Sequence, residues 1–465
     1  MSDSTVTRRQ RWTLAAACFA QFMIQLDVTI VNVTLPSIQR ALAAGPERLV
    51  WIVDAYVLPL ASLILVGGTL GDRYGRKRVF LAGFVAFTVF SAGCALSPND
   101  EALIVFRALQ GVGAALMAPS SLSILTHAFP PLTRPWAIGM WSMLSGLGFG
   151  LGPVLAGLLL RLSGWSAIFW VNVPIGLAGA IVTARFVGES RNPHARRLDL
   201  PGAVLVSGAL FCLTFALVRL AHHAGGDAPV APFLGAALAL GAAFLRREAR
   251  ADAPMLPLHF FRNPPFRAAN VSFALAYAAH AATLFFVSLY FQNVRGWGPL
   301  QTGVSWLAMN VPFLAVASRA GRLQARFGPR RVVVAGLAAG GTGVALFGLL
   351  GSDSAWLQAL PAYVLFGAGY GAAVPAISAI AMGALEVHHA GVASGVLNSS
   401  RQVGAALGLP ALSALGATAA GAHGWTDPTS FVVAMRVALL AAGALVIGAA
   451  VQTAFAHPED GPRDG

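Results

Sequence analysis

Two ionisable side chains stand inside apolar stretches. Asp27 interrupts QFMIQLDVTIVNVTLP (21–36), and Arg107 interrupts LIVFRALQGVGAALMAP (103–119). A charge in a hydrocarbon-like segment is costly, so each is expected to face protein or water and to carry a function. Desolvation favours the neutral form of a carboxyl group, and a nearby guanidinium favours the ionised form. An aspartate whose distance from an arginine changes can therefore take up and release a proton. The chemistry on offer is reversible protonation, with Asp27 as the carrier and Arg107 as its counter-charge.

Other polar residues fall in similar company. At about 100° per residue, Gln25 and Asn32 share a stripe with Gln21 and Thr29, while Asp27 and Thr34 lie roughly half a turn away. Both stripes need protein or water against them. Asp54, in WIVDAYVL (51–58), is placed about one turn inside its segment, near the outer mouth. Gln110 shares the face of Arg107, and Asn398 and Arg401 share a face in VLNSSRQVG (396–404). His280 lies alone in a later apolar segment and is expected to shape a cavity as a packed hydrogen-bonder. Gln25, Asn32, Asp54, Gln110, His280, Asn398 and Arg401 are the expected substrate-cavity set. No catalytic constellation accompanies them: the chain has no HExxH, no phosphate-binding loop and no nucleophile–base pair. Cys18, Cys94 and Cys212 are too far apart for a metal or disulfide framework. No metal and no cofactor are expected.

The segments that must position these residues span a membrane. The 465-residue chain is 57% hydrophobic and 11% charged, with a mean hydropathy of +0.70. A soluble domain carries about 25% charged residues, so there is too little charge to cover a water-facing surface. The net charge of +13 is scattered over short loops, which argues against a nucleic-acid partner. Arg8, Arg9 and Arg11 precede an apolar run too long for a signal peptide, and a retained first helix is expected.

Fourteen stretches are long enough to cross a bilayer, from 12–34 to 431–453. With the N-terminus inside, 23 of the 31 Lys and Arg residues fall in inside segments and five in outside loops. That bias predicts cytoplasmic termini and an inner-membrane location. The seventh and eighth stretches, 201–219 and 229–245, are the weakest signals, because 229–245 is short and Ala-rich, and removing both would preserve parity.

The chain repeats itself. Gly68, Leu70, Arg73, Gly75, Lys77 and Arg78 in GTLGDRYGRKRV meet Gly321, Leu323, Arg326, Gly328, Arg330 and Arg331 in GRLQARFGPRRV at an offset of 253. Gly111, Gly113 and Pro119 meet Gly367, Gly369 and Pro375 at an offset of 256. Two homologous six-helix halves follow, with two extra helices between them. The expected division is 1–200 for the first half, 201–250 for the inserted pair and 251–465 for the second half. Two such halves around a midplane site are the build of major facilitator transporters.

At this point the chain resembles a known family, the fourteen-helix drug:proton antiporters of the major facilitator superfamily, which includes quaternary-ammonium and methylenomycin exporters. The motifs run in order along nearly the whole chain: LDVTIVNVTLP (26–36), WIVDAYVL (51–58), GTLGDRYGRKR (68–78), RALQGVGAA (107–115), GFGLGPVLAG (148–157), IFWVNVPIG (168–176) and VLNSSRQVG (396–404). The resemblance implies an all-α integral membrane protein that exports small hydrophobic compounds against protons. It implies a gating latch at Gly68, Asp72, Arg73, Gly75 and Arg76, and Asp72 is expected beside a helix N-terminus, where the dipole stabilises an acid. The residues themselves add that glycines at i and i+4 and a proline, at Gly148, Gly152, Pro153 and Gly157, predict a hinge or tight helix contact. Ala325 and Ser166 depart from the pattern, and Ala325 implies that the two loops gate unequally. The partners expected are a small-molecule substrate, protons and the lipid bilayer, with the protein acting as a monomer. The alternative is an ion-coupled importer of the same fold.

Overall fold

In the computed structural model, residues 6–130, 133–191, 199–222, 230–251, 254, 256–385, 390–421 and 427–456 are described. Among them every regular element is a helix. In chain order these are α1 (Arg8–Leu42), α2 (Pro46–Tyr74), α3 (Arg76–Ala95), α4 (Asp100–Ala128), α5 (Arg134–Ser163), α6 (Ala167–Trp170), α7 (Asn172–Phe186), α8 (Leu200–His222) and α9 (Val230–Arg250). They continue with α10 (Pro264–Leu289), α11 (Pro299–Ser305), α12 (Leu307–Ala317), α13 (Ala320–Phe327), α14 (Pro329–Phe347), α15 (Trp356–Gly383), α16 (Ala390–Ala420) and α17 (Pro428–Ala456).

Thirteen helical stretches among the described residues are long and apolar enough to cross a bilayer, or fourteen if α2, bent by 52°, is one span. Each of the fourteen expected stretches falls on one of them. The helices outrun the hydropathy signal because backbone hydrogen bonding continues where apolar sequence stops. At 1.5 Å per residue, the 35 residues of α1 extend about 52 Å, against roughly 30 Å of hydrocarbon. Polar caps set several starts: Thr7 and Gln10 form a capping box on α1, and Asn99 and Asn263 accept from Ala102 N and Phe266 N at 2.8 and 3.2 Å. Pro46 at the first turn starts α2 four residues before its expected span. The loop segments 192–198 and 223–229, which cytoplasmic termini and fourteen spans would put on opposite sides of the membrane, lie outside the described residues.

The chain divides into two compact units, Met1–Gly208 with Gly298–Val304, and Ala209–Trp297 with Ser305–Gly465. Within the first, α1 packs on α4, α5 and α7, while α3 packs on α4 and α7, and α2 on α4. Within the second, α10 packs on α15, α16 and α17, while α14 packs on α15 and α17, and α12 on α15. The pairing is the same in both, helix for corresponding helix. The glycines that revealed the repeat do equivalent work in each copy. Gly111 abuts the backbone of Tyr56, and Gly367 abuts that of Met309, 253 residues later. Gly113 abuts the backbone at Phe87, and Gly369 that at Gly340, again 253 apart. A side chain at any of these would push neighbouring helices apart.

Candidate functional site

Asp27 and Arg107 meet. Arg107 Nη1 donates to Asp27 Oδ2, and the pair is closed off from solvent, at 0% and 1% exposure. A fully buried ion pair tolerates its desolvation only when the remaining hydrogen-bonding capacity is satisfied. Here it is. Gln110 Nε2 and Asn172 Nδ2 donate to Asp27 Oδ1 at 2.9 and 3.2 Å. Arg107 Nη1 also donates to Gln110 Oε1 at 2.8 Å, and its Nε to Ile52 O at 3.2 Å. The guanidinium carbon lies 4.3 Å from the centre of the Tyr56 ring, a cation–π distance. Ser91 Oγ sits behind, accepting from Gln110 Nε2 and Asn172 Nδ2 and donating to Phe169 O. Cys94 Sγ faces Gln110 Oε1 at 3.7 Å. Helices α1, α2, α3, α4 and α7 thus converge on one carboxylate held by three N–H donors.

Gln110 was expected in a substrate cavity. It lies inside this network instead, with both ends of its amide committed. Asn172, Ser91 and Tyr56 were not singled out from the sequence. Asn172 could have been, because it is the one amide in the apolar motif IFWVNVPIG.

The other candidates of the first unit stand apart from the ion pair. Asn32 Nδ2 donates to Val28 O at 2.8 Å, and Gln25 is half-buried one turn or two before it. Gln21 Nε2 reaches Ser145 Oγ on α5 at 3.0 Å. Asp54 differs from expectation in depth. Because α2 begins at Pro46, Asp54 is eight residues from its start, about 12 Å along the axis. It is 0% exposed, and neither carboxylate oxygen has a hydrogen-bond partner. A side chain merely reaching headgroups from the helix end would not be sealed in this way.

In the second unit the corresponding positions are aromatic. At the offsets of the repeat, Asp27, Arg107 and Gln110 become His280, Tyr363 and Phe366. The His280 ring lies 5.4 Å from Phe366, 5.8 Å from Tyr370 and 5.8 Å from Tyr277. Arg401 stands 5.3 Å from the Tyr277 ring, and Asn398 is half-buried one turn earlier on α16. Where the first unit holds a charged network, the second holds an aromatic cluster with a cation at its edge.

The glycines of α5 are contact points. Gly148 faces the backbone of Phe22, Gly152 the side chain of Thr29, and Gly157 the backbone of Leu300, while Pro153 O meets Gly303 on α11. Their counterparts 256 residues on, Gly404 and Gly408, face the α10 backbone at Ala274 and Ala278. The α1–α5 and α10–α16 pairs are close-packed by the same two-glycine device.

The loop between α2 and α3 corrects one expectation. Asp72 lies in the last turn of α2, not beside a helix N-terminus. Its partner is Arg76, whose Nε and Nη2 donate to Asp72 Oδ1 at 2.9 and 2.8 Å. Arg73 sits one residue from it in that turn, and Gly68, a turn earlier, packs on Pro119 at 3.6 Å. The acid at the start of α3 is Glu189, which follows α7. Its Oε1 accepts from Lys77 N at 3.1 Å, and Ser190 O accepts from Arg76 N at 3.0 Å. A carboxylate there satisfies an orphan N–H and complements the helix dipole. Gly75 makes the turn at φ +113°, where an L side chain is strained and a Cβ would fall 2.6 Å from the Glu189 carboxylate. Gly328 makes the corresponding turn at φ +80°. In that second copy Asp72 and Arg76 are replaced together, by Ala325 and Pro329.

Residues 17–409 match the family model of the Major Facilitator Superfamily. The chain belongs to that superfamily. Among its relatives are the tetracenomycin C resistance and export protein of Streptomyces glaucescens, 37% identical over 89% of this chain and 77% of that one. The methylenomycin A resistance protein of Streptomyces coelicolor is 37% identical over 84% and 82%. The multidrug resistance protein Stp of Mycobacterium tuberculosis is 34% identical over 88% and 76%. Solved structures share the fold at low identity. A POT family transporter aligns at TM-score 0.70 and 15% identity over 97% of both chains, and a bacterial homologue of the lysosomal transporter Spinster at 0.69 and 16% over 97% of both. This Major Facilitator Superfamily member is thus an all-helical, multi-pass membrane transporter. Among its described residues no cluster of three His, Cys, Asp or Glu side chains could hold a metal.

The asymmetric loops of this transporter yield a first expected result. The Asp72–Arg76 pair is partly exposed, so it contributes less than about 1 kcal/mol to stability. Asp72→Asn should leave membrane abundance within about twofold of wild type while lowering transport at least about tenfold. Ala325→Asp should be tolerated, because Pro329 offers no cation one turn later. Transport per immunoblotted protein in whole cells measures both. Equal losses from the two substitutions would remove the asymmetry.

Proposed function

We propose that this transporter exports small hydrophobic drugs or antibiotics across the inner membrane in exchange for protons, by alternating access. The observation that carries the reading is the sealed Asp27–Arg107 pair, a titratable carboxylate buried in apolar helices with its counter-charge in contact. The resistance and export names of the relatives support the outward direction. On this reading a proton taken up by Asp27 weakens its bond to Arg107, and its release restores the pair. Each charge that crosses 100 mV supplies about 2.3 kcal/mol.

Gln25, Asn32 and Asp54 in the first unit, and His280, Asn398 and Arg401 in the second, are the polar side chains we assign to substrate. Asp72 and its neighbours act as the gating latch, and the glycines around Pro153 as the hinge. Helices α8 and α9 form an insert, 201–250, between halves 1–200 and 251–465. The protein acts as a monomer with both termini in the cytoplasm and needs no cofactor and no nucleic acid.

Everted membrane vesicles test the reading. Energised vesicles carrying the protein should accumulate a fluorescent hydrophobic drug, lose it on adding a protonophore, and release protons when drug is added. Accumulation only in right-side-out vesicles would make the protein an importer. Accumulation insensitive to the protonophore would remove proton coupling.

A further inference from the structure

Asp27 must be accommodated in two forms if it carries a proton. As a carboxylate it only accepts hydrogen bonds; as an acid it must also donate one. The donors around it suit the first form. The second needs an acceptor, and the network offers few. Gln110 Oε1 is taken by Arg107 Nη1 and faces Cys94. Ser91 Oγ already accepts from two amides. Asn172 differs. Its Nδ2 donates to Asp27 Oδ1 and to Ser91 Oγ, while its Oδ1, buried in a residue of 0% exposure, has no partner. A buried amide oxygen left without a partner bears its full desolvation penalty.

We propose that Asn172 is the positioning residue that serves both protonation states of Asp27, by a half-turn of its amide about χ2. This rests on the reading of Asp27 as the proton carrier. In the ionised state Nδ2 faces the carboxylate, as seen. When a proton from the outer medium joins Asp27, the half-turn brings Oδ1 to the new O–H and gives that oxygen a partner, while Nδ2 gives up its bonds to Asp27 Oδ1 and Ser91 Oγ. When the proton leaves towards the cytoplasm, the amide turns back. No bond other than O–H is made or broken, and one proton enters for each that leaves. Gln110 cannot do this, because turning its amide would set Nε2 against the Arg107 guanidinium. The ionisable groups that face Asp27 from the surrounding helices are Arg107 on α4, Tyr56 on α2 and Cys94 on α3. Asn172 is the neutral group able to answer both forms.

The test is the pH profile of drug-induced proton release in everted vesicles, scaled to protein abundance. Asn172→Leu keeps the shape and removes donor and acceptor together. Loss of the donor should move the midpoint about one unit to higher pH, a tenfold change in proton affinity. Loss of the acceptor should lower the maximal rate at least about fivefold at every pH. An unmoved midpoint would reduce Asn172 to packing. A moved midpoint with the wild-type maximum would make it a donor only, and the two-state proposal would fall. Should Asn172→Leu fail to reach the membrane, Asn172→Ala carries the same two expectations. Asp27→Asn is measured alongside. If it still releases protons, the reading of Asp27 fails and the Asn172 proposal with it. If release is lost but Asn172→Leu leaves the profile unchanged, only the Asn172 proposal fails.

Discussion

Asp27→Asn is expected to reduce uphill drug export to the background of empty vesicles, a loss of at least about tenfold, with membrane abundance within about twofold of wild type. The substitution keeps the size of the side chain and an oxygen for Arg107, so the helices around it have no steric reason to part. What disappears is the exchangeable proton. An amide cannot alternate between charged and neutral forms, so substrate could still exchange down its own gradient but could not be driven against it. The cost is that Arg107 stays buried beside a neutral amide; the retained oxygen, Ile52 O and the Tyr56 ring still face the guanidinium, which makes this one-sided break milder than one that removes every partner but not free. The new Nδ2 would meet the donors of Gln110 and Asn172, and the half-turn available to Asn172 relieves one of them. Asp27→Glu retains a carboxyl group on a longer arm and should keep part of the activity with a displaced pH profile. Drug accumulation and drug-induced proton release, both in energised everted vesicles, check the two variants. A well-inserted Asp27→Asn protein that still accumulates drug uphill would make the carboxylate a helix-packing group.

The membrane fold was legible because its signal is redundant. Each span carries about twenty apolar residues, and the repeat binds two distant segments through the same glycines. Segment ends were not, because hydropathy marks the bilayer while the helix continues past it, as α1 and the early start of α2 at Pro46 illustrate. Among polar residues, legibility followed contrast. Asp27 and Arg107 stand out as opposite charges in apolar runs, and each needs the counter-charge the other supplies. Asn172 stands out only as a lone amide and Ser91 not at all, and neither carries a charge, so what they hold is read from three-dimensional convergence. Asp72 was assigned to the wrong helix end because a loop motif does not say where the preceding helix stops. Glu189, which does sit at the start of α3, is 112 residues from the amide it caps, and no local pattern links them. The loss of the second-copy ion pair was half visible: Ala325 announced the missing acid, and Pro329 shows that the base went with it.

Arg107 should be more costly to lose than Asp27. Arg107→Met keeps the length of the side chain but leaves Asp27 sealed with no counter-charge, and breaking a buried pair from one side typically costs about 3–5 kcal/mol. The cation–π contact with Tyr56 adds about 2 kcal/mol for a desolvated site. The double variant Asp27→Leu/Arg107→Met removes the orphaned charge, and apolar replacement of a whole buried pair is often neutral. Stability should therefore fall sharply in the single variant and recover in the double one. Recovery should stop short of wild type by roughly the stacking contribution, and by the donors of Gln110 and Asn172 left facing a leucine. Neither variant should drive export. Thermal unfolding of the detergent-solubilised proteins, followed by tryptophan fluorescence, reads the stability difference. If the double variant proves no more stable than Arg107→Met, the damage comes from lost stacking and packing around Arg107, and the buried charge pair is not what the first unit depends on.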